Sequence, residues 1–126
     1  MQGLKFLSGA RSRLFSTVNP KVKEQVTNKL GSSKVVMYSK TSCKFCKNAK
    51  KLLNSANITF ERVEIDRMKE GKKVLEHLTS FTNMKTVPQI FIGGNILGGY
   101  SELKQAFDDG SLSFRIQTQK KTLSHI

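Results

Sequence analysis

Lys34-Val-Val-Met-Tyr-Ser-Lys-Thr-Ser-Cys-Lys-Phe-Cys46 passes from an apolar run into a closely spaced pair of cysteines. Residues 34–38 are short, apolar and rich in β-formers, the pattern of a buried strand. The cysteines then open a segment in which Ala49, Leu52, Leu53 and Ala56 recur at helical spacing. Residues 59–65, Thr-Phe-Glu-Arg-Val-Glu-Ile, alternate polar and apolar and predict a second strand. Strand, helix and strand in this length make a βαβ unit, so the two strands run parallel.

Upstream, Asn19-Pro20 suits a helix start, with Asn as N-cap and Pro at the first helical position. Val22, Val26 and Leu30 recur every four residues behind it, and Gly31 is a natural stop. Downstream, residues 67–80 predict a helix with Val74, Leu75 and Leu78 as its buried stripe. Gln89–Ile92 and Asn95–Leu97 flank Gly93-Gly94, a pair suited to a hairpin turn with positive φ. Ser101 is the expected cap of a last helix bearing Leu103, Ala106 and Phe107 and ending at Gly110. Residues 111–126 have no clear period and are expected to form a basic tail. The sum is an α/β domain with a four-stranded mixed sheet flanked by helices on both faces.

Both cysteines of the chain, Cys43 and Cys46, lie in one Cys-x-x-Cys at a strand-to-helix junction. A helix N-terminus presents unpaired backbone N–H groups and a positive dipole end. A thiolate, the reactive form of cysteine, is well received there. A second cysteine three residues on lies within reach to attack a mixed disulfide formed on the first. Cys43 is thus the expected nucleophile and Cys46 the resolving thiol, with Lys40, Lys44 and Lys47 around them. A zinc site needs a second Cys or His pair, and His77 and His125 are not placed as one.

The 126 residues suffice for one domain, and no run approaches the ~18 apolar residues of a membrane helix. Two cysteines cannot build a secreted multi-disulfide framework. The formal charge of +13 invites a nucleic-acid reading. Its distribution argues against one: residues 1–33 carry net +5, residues 34–110 net +5, and residues 111–126 net +3. The excess is concentrated on the two ends, and no interleaved aromatic platform accompanies it. Residues 1–23 hold five basic residues and no acid, punctuated by Leu4, Phe6, Leu7, Leu14, Phe15 and several serines. That is the make-up of an organellar transit peptide, and no continuous apolar run of the kind a secretory signal needs is present. Residues 1–19 are therefore the expected mitochondrial leader (a cytoplasmic location is the alternative), 20–112 the domain, and 113–126 the tail.

Tyr38-Ser-Lys-Thr-Ser-Cys-Lys-Phe-Cys46, Thr86-Val-Pro88 followed by Gln-Ile-Phe-Ile-Gly, and Leu97-Gly-Gly-Tyr-Ser-Glu-Leu103 together resemble glutaredoxins of the dithiol type. The resemblance covers roughly residues 20–112, about three quarters of the chain. It implies a thioredoxin-like fold and glutathione-dependent reduction of protein disulfides and glutathione mixed disulfides. It also implies that Val87-Pro88 is a cis peptide, exposing the Val87 backbone to pair with glutathione. Lys40 matches the family lysine that meets the glycyl carboxylate, with Lys85 as a second cation. Gly99, Tyr100 and Ser101 match the site of the γ-glutamyl carboxylate, and Phe45 and Thr86 complete the implied glutathione contacts.

Two departures bear on that carry-over. Most dithiol members have Pro-Tyr between the cysteines, where this chain has Lys44-Phe45. Family members without that proline include some that dimerise around a [2Fe–2S] cluster, held by one cysteine per protomer and by glutathione. An iron–sulfur carrier or redox sensor with Cys43 as metal ligand is therefore the alternative to a monomeric enzyme. Many members also carry a Gln in the helix before Thr-Val-Pro, and ungapped counting puts Leu75 there.

Overall fold

The computed structural model describes residues 19–118. The expected leader, apart from Asn19, and residues 119–126 of the expected tail lie outside the described residues. Helix α1 (Pro20–Leu30) starts as the sequence predicts, with Asn19 Oδ1 accepting the Lys21 N–H at 2.8 Å. Strand β1 (Val35–Ser39) leads through a short turn into α2 (Lys44–Ser55), which is followed by β2 (Glu61–Glu64). A 3-10 turn (Ile65–Arg67) precedes α3 (Gly71–Thr82), and β3 (Gln89–Ile92), β4 (Asn95–Gly98) and α4 (Tyr100–Asp108) complete the order.

The sheet order is β2-β1-β3-β4, with β1 parallel to β2 and antiparallel to β3. β3 and β4 form the expected hairpin, and Gly93 and Gly94 take φ values of 61° and 83°, which side-chain-bearing residues avoid. Alternation along the strands splits the core in two. Val35, Met37, Ile90 and Ile92 face Ala49 and Leu53 of α2 and Leu103 and Ala106 of α4. Val36, Tyr38 and Phe91 face Val22 and Val26 of α1 and Val74 and Leu78 of α3. Helices therefore cover both faces, as expected from the βαβ reading.

Three local expectations change. The second strand is shorter than residues 59–65: it ends at Glu64, and Ile65 turns inward to start the 3-10 turn. The third helix starts at Gly71, not 67, and a Cβ at Gly71 would stand 2.0 Å from the Ile65 carbonyl oxygen. Only a residue without a side chain lets the chain double back so closely. Lastly, residues 112–118 of the expected tail form helix α5 (Leu112–Thr118). Asp109 Oδ1 accepts the Ser111 N–H at 2.9 Å just before it, and Leu112 and Ile116, one turn apart, pack on the α2/α4 core.

Candidate active site

Cys43 is the N-cap of α2, and the Cys46 N–H donates to its Sγ at 3.1 Å. A side chain that accepts from the third residue on is what a helix start requires, and here the acceptor is sulfur. Cys43 is half-buried, Cys46 is 0% exposed, and both are free thiols. Burial pushes the Cys46 thiol up to about 12, and its hydrogen bond to Cys43 adds to the rise. The pair is thus asymmetric: Cys43 is partly exposed, and Cys46 is sealed and held as a protonated thiol.

Three contacts hold the turn that presents Cys43. The Cys43 N–H donates to the Lys40 carbonyl at 3.2 Å. The Thr41 N–H and hydroxyl both donate to Asp66, at 3.1 and 2.5 Å, tying this turn to the 3-10 segment. The Thr41 hydroxyl holds the Asp66 carboxyl below the usual carboxylate range. Beneath the turn, Glu64 accepts from Ser39 Oγ and from Lys50 Nζ, each at 2.7 Å. Burial would raise the Glu64 carboxyl, but those two donors outweigh it and hold it low.

Val87-Pro88 is a cis peptide, as the resemblance implied. The Cys43 thiol points at the Val87 carbonyl oxygen, 3.8 Å away. Val87 is half-buried and Pro88 buried, while Lys85 and Thr86 are exposed. Gln89 shapes this loop. It is 0% exposed. Its Nε2 donates to the Met84 and Thr86 carbonyls at 3.0 and 3.1 Å, and its Oε1 accepts from Thr82 Oγ1 at 3.1 Å. Sequence reasoning missed Gln89 as a site-shaping residue; the signal was a lone amide in an otherwise apolar strand directly after Pro88.

The turn at Gly98–Gly99 abuts the cis-proline: a Cβ at Gly99 would meet the Pro88 carbonyl oxygen at 3.4 Å. Gly99, not Ser101, is the cap of α4, and Ser101 lies inside the first turn. The reason is Glu102, whose Oε1 accepts the Gly99 N–H at 2.8 Å. A carboxylate three residues into a helix that reaches back to the cap N–H makes a charge-assisted bond, stronger than a neutral hydroxyl offers. Phe45, 57% exposed, stacks on Tyr100 with ring centroids 6.0 Å apart.

The structure therefore joins Cys43 to Val87, Pro88 to Gly99 and Phe45 to Tyr100 across three segments distant in sequence. The Lys40 and Lys85 side chains are exposed, and among the described residues no ion pair engages them. Leu75 is partly buried against the α1/α3 core and offers no polar contact. A cavity of about 460 Å³ lined by Gln25, Val26, Tyr38, Met68 and Val74 lies on that α1/α3 side of the sheet, not at the cysteines.

Among the described residues no three His, Cys, Asp or Glu side chains gather as a metal site. A [2Fe–2S] cluster takes four ligands, generally thiolates. With Cys46 fully buried, Cys43 is the one partly exposed thiol among the described residues.

A Cys-x-x-Cys capping a helix, faced by a cis-proline loop on this mixed sheet, defines the dithiol site of a thioredoxin-like fold. The glutaredoxin family profile matches residues 35–97, half of the chain, and the chain belongs to that family. Glutaredoxin-1 of Rhizophagus irregularis is 38% identical over 92 residues, which is 73% of this chain and 91% of that protein. Mitochondrial glutaredoxin-2 of Mus musculus is 33% identical over 88 residues, 70% of this chain but 56% of the relative, so the chain spans little more than half of that protein. The crystal structure of a buckwheat glutaredoxin–glutathione complex matches with a TM-score of 0.74 at 25% identity, over 88% of this chain and 96% of that one.

Proposed function

We propose that this chain is a glutathione-dependent thiol–disulfide oxidoreductase acting on glutathione mixed disulfides and protein disulfides. The observation that carries this is the contrast between the two sulfurs: Cys43 accessible at a helix cap, Cys46 sealed behind it. Cys43, as thiolate, attacks the glutathione sulfur of a glutathionylated protein. A bond forms from Cys43 to that sulfur, the protein–glutathione bond breaks, and the protein thiolate leaves and takes a proton from solvent. A second glutathione thiolate then attacks the glutathione sulfur held on Cys43, yielding glutathione disulfide and free Cys43. Alternatively Cys46 loses its proton, attacks the Cys43 sulfur, and releases glutathione as the internal disulfide forms. Burial raises the Cys46 thiol, so this second route needs Cys46 to give up a proton that glutathione can shed freely in solution.

Glutathione fits as a short strand against the Val87 backbone, with the Lys40 and Lys85 ammonium groups for one carboxylate. The backbone N–H groups of Tyr100 and Ser101 at the start of α4 suit the other. The Gly99 N–H is already taken by Glu102. Phe45, stacked on Tyr100, offers glutathione an exposed ring two residues after Cys43. The relative crystallised as a glutaredoxin–glutathione complex supports this reading. Cys43→Ser is expected to abolish turnover of a glutathione mixed disulfide and Cys46→Ser to retain most of it. Full activity in Cys43→Ser sinks the mechanism.

Residues 1–19 act in this reading as a mitochondrial address, supported by their acid-free basic composition and by the mitochondrial relatives. A reporter carrying residues 1–19 should enter mitochondria; a reporter left in the cytoplasm overturns this.

A further inference from the structure

Helix α2 carries Lys44, Lys47, Lys50 and Lys51 and no acidic residue. Lys50 is committed inward, to Glu64. The other three follow i, i+3, i+7 spacing, which places them on one face. All three are exposed, and among the described residues none makes an ion pair. The arrangement works against the helix. Cations in the first turn oppose the positive end of the macrodipole, and like charges three or four residues apart repel. The stripe opposes its own helix and begins beside the nucleophile, where an incoming anionic partner would relieve the repulsion.

We infer that Lys44, Lys47 and Lys51 form a docking rail for an acidic segment of the protein that carries the mixed disulfide. The inference rests on the oxidoreductase reading above and names the substrate class for that site. The rail starts next to Cys43, so the molecule lying along it is the one whose sulfur reaches Cys43. It spans about 10 Å, seven residues at ~1.5 Å each. An extended segment advances about 3.3 Å per residue, so acidic residues within about three positions of the reacting cysteine match it. Phe45 is the apolar ring nearest the start of the rail, and its face leans on Tyr100. A narrow line of cations with one ring at its head suits a peptide better than a bilayer, which calls for a broad apolar face.

The test uses the full chain and three glutathionylated peptides identical except for the residues flanking the cysteine: Asp/Glu, Ser/Gly or Lys/Arg. At low salt, kcat/KM should fall from acidic to neutral to basic, with a gap of about tenfold between the extremes. The gap should collapse in 0.5 M salt, where charges are screened within a few ångströms. Lys44→Glu and Lys51→Glu should each shrink the acidic-to-basic ratio several-fold. Lys44→Glu should also raise Tm, because an acid replaces a base at the helix N-terminus, so a lost ratio there cannot be ascribed to a damaged fold. Equal kcat/KM for the three peptides at low salt overturns the proposal. So does a ratio that neither variant changes, or a rail that captures anionic vesicles or an oligonucleotide while the peptides remain equivalent. Failure to turn over any of the three peptides instead removes the oxidoreductase reading, and this proposal with it.

Discussion

The Val87 carbonyl oxygen stands 3.8 Å from Cys43 Sγ, although 44 residues separate the two in sequence. This contact brings the βαβ half of the chain against the hairpin half at the reactive sulfur. The Cys46 N–H approaches the same sulfur from behind, at 3.1 Å. Cys43 therefore sits between the start of a helix, which donates to its sulfur, and the backbone of the cis-proline loop.

The asymmetry of the thiols predicts selective alkylation. Cys46 is buried and its thiol is pushed up to about 12. Iodoacetamide at pH 8–9 should therefore modify Cys43 alone in the folded protein, and both cysteines after denaturation. Peptide mass spectrometry reads the outcome.

Alkaline pH should destabilise the fold. Burial pushes both the Cys46 thiol and the Tyr38 phenol up to about 12, from ordinary values of 9.0 and 10.0. The folded chain keeps protons that the unfolded chain releases, so unfolding is favoured as pH climbs from about 9 toward 12. The stabilisation is complete below that window and lost across it. Thermal melts should show Tm falling over this range, less steeply in Tyr38→Phe.

Gly71→Ala should be among the costlier small substitutions. Its Cβ would lie 2.0 Å from the Ile65 carbonyl oxygen, backbone that cannot step aside as a side chain does. A loss of about 2–3 kcal/mol in denaturant unfolding is expected, the upper part of the range for overpacking.

Gln89→Leu should loosen the loop before the cis-proline. It leaves the Met84 and Thr86 carbonyls and the Thr82 hydroxyl without the partner they now share. A stability cost of about 1–3 kcal/mol is expected. KM for glutathione should rise more than kcat falls, because the Val87 backbone is displaced and not the sulfur.

The fold was legible where local pattern and packing agree. Val35 and Met37 face one core while Val36 and Tyr38 face the other, which a short apolar run between two helical periods already implies. The cysteines, Val87-Pro88 and Gly99 were legible as motifs because few residue types serve at a helix cap or a close backbone approach. What stayed hidden depends on distant side chains. Asp66 lies in a 3-10 turn, and its carboxylate is spoken for by Thr41, 25 residues back. Ser101 lost the cap to Gly99 because Glu102 folds back. Helix α5 offers only Leu112, buried, and Ile116, partly buried, too few to establish a period.

The most direct test of the account is the reduction of a glutathione mixed disulfide by the wild-type chain, Cys43→Ser and Cys46→Ser at neutral pH with glutathione as reductant. No turnover is expected in Cys43→Ser, and most of the wild-type rate in Cys46→Ser. Turnover that survives loss of Cys43, or vanishes only with loss of Cys46, would contradict it.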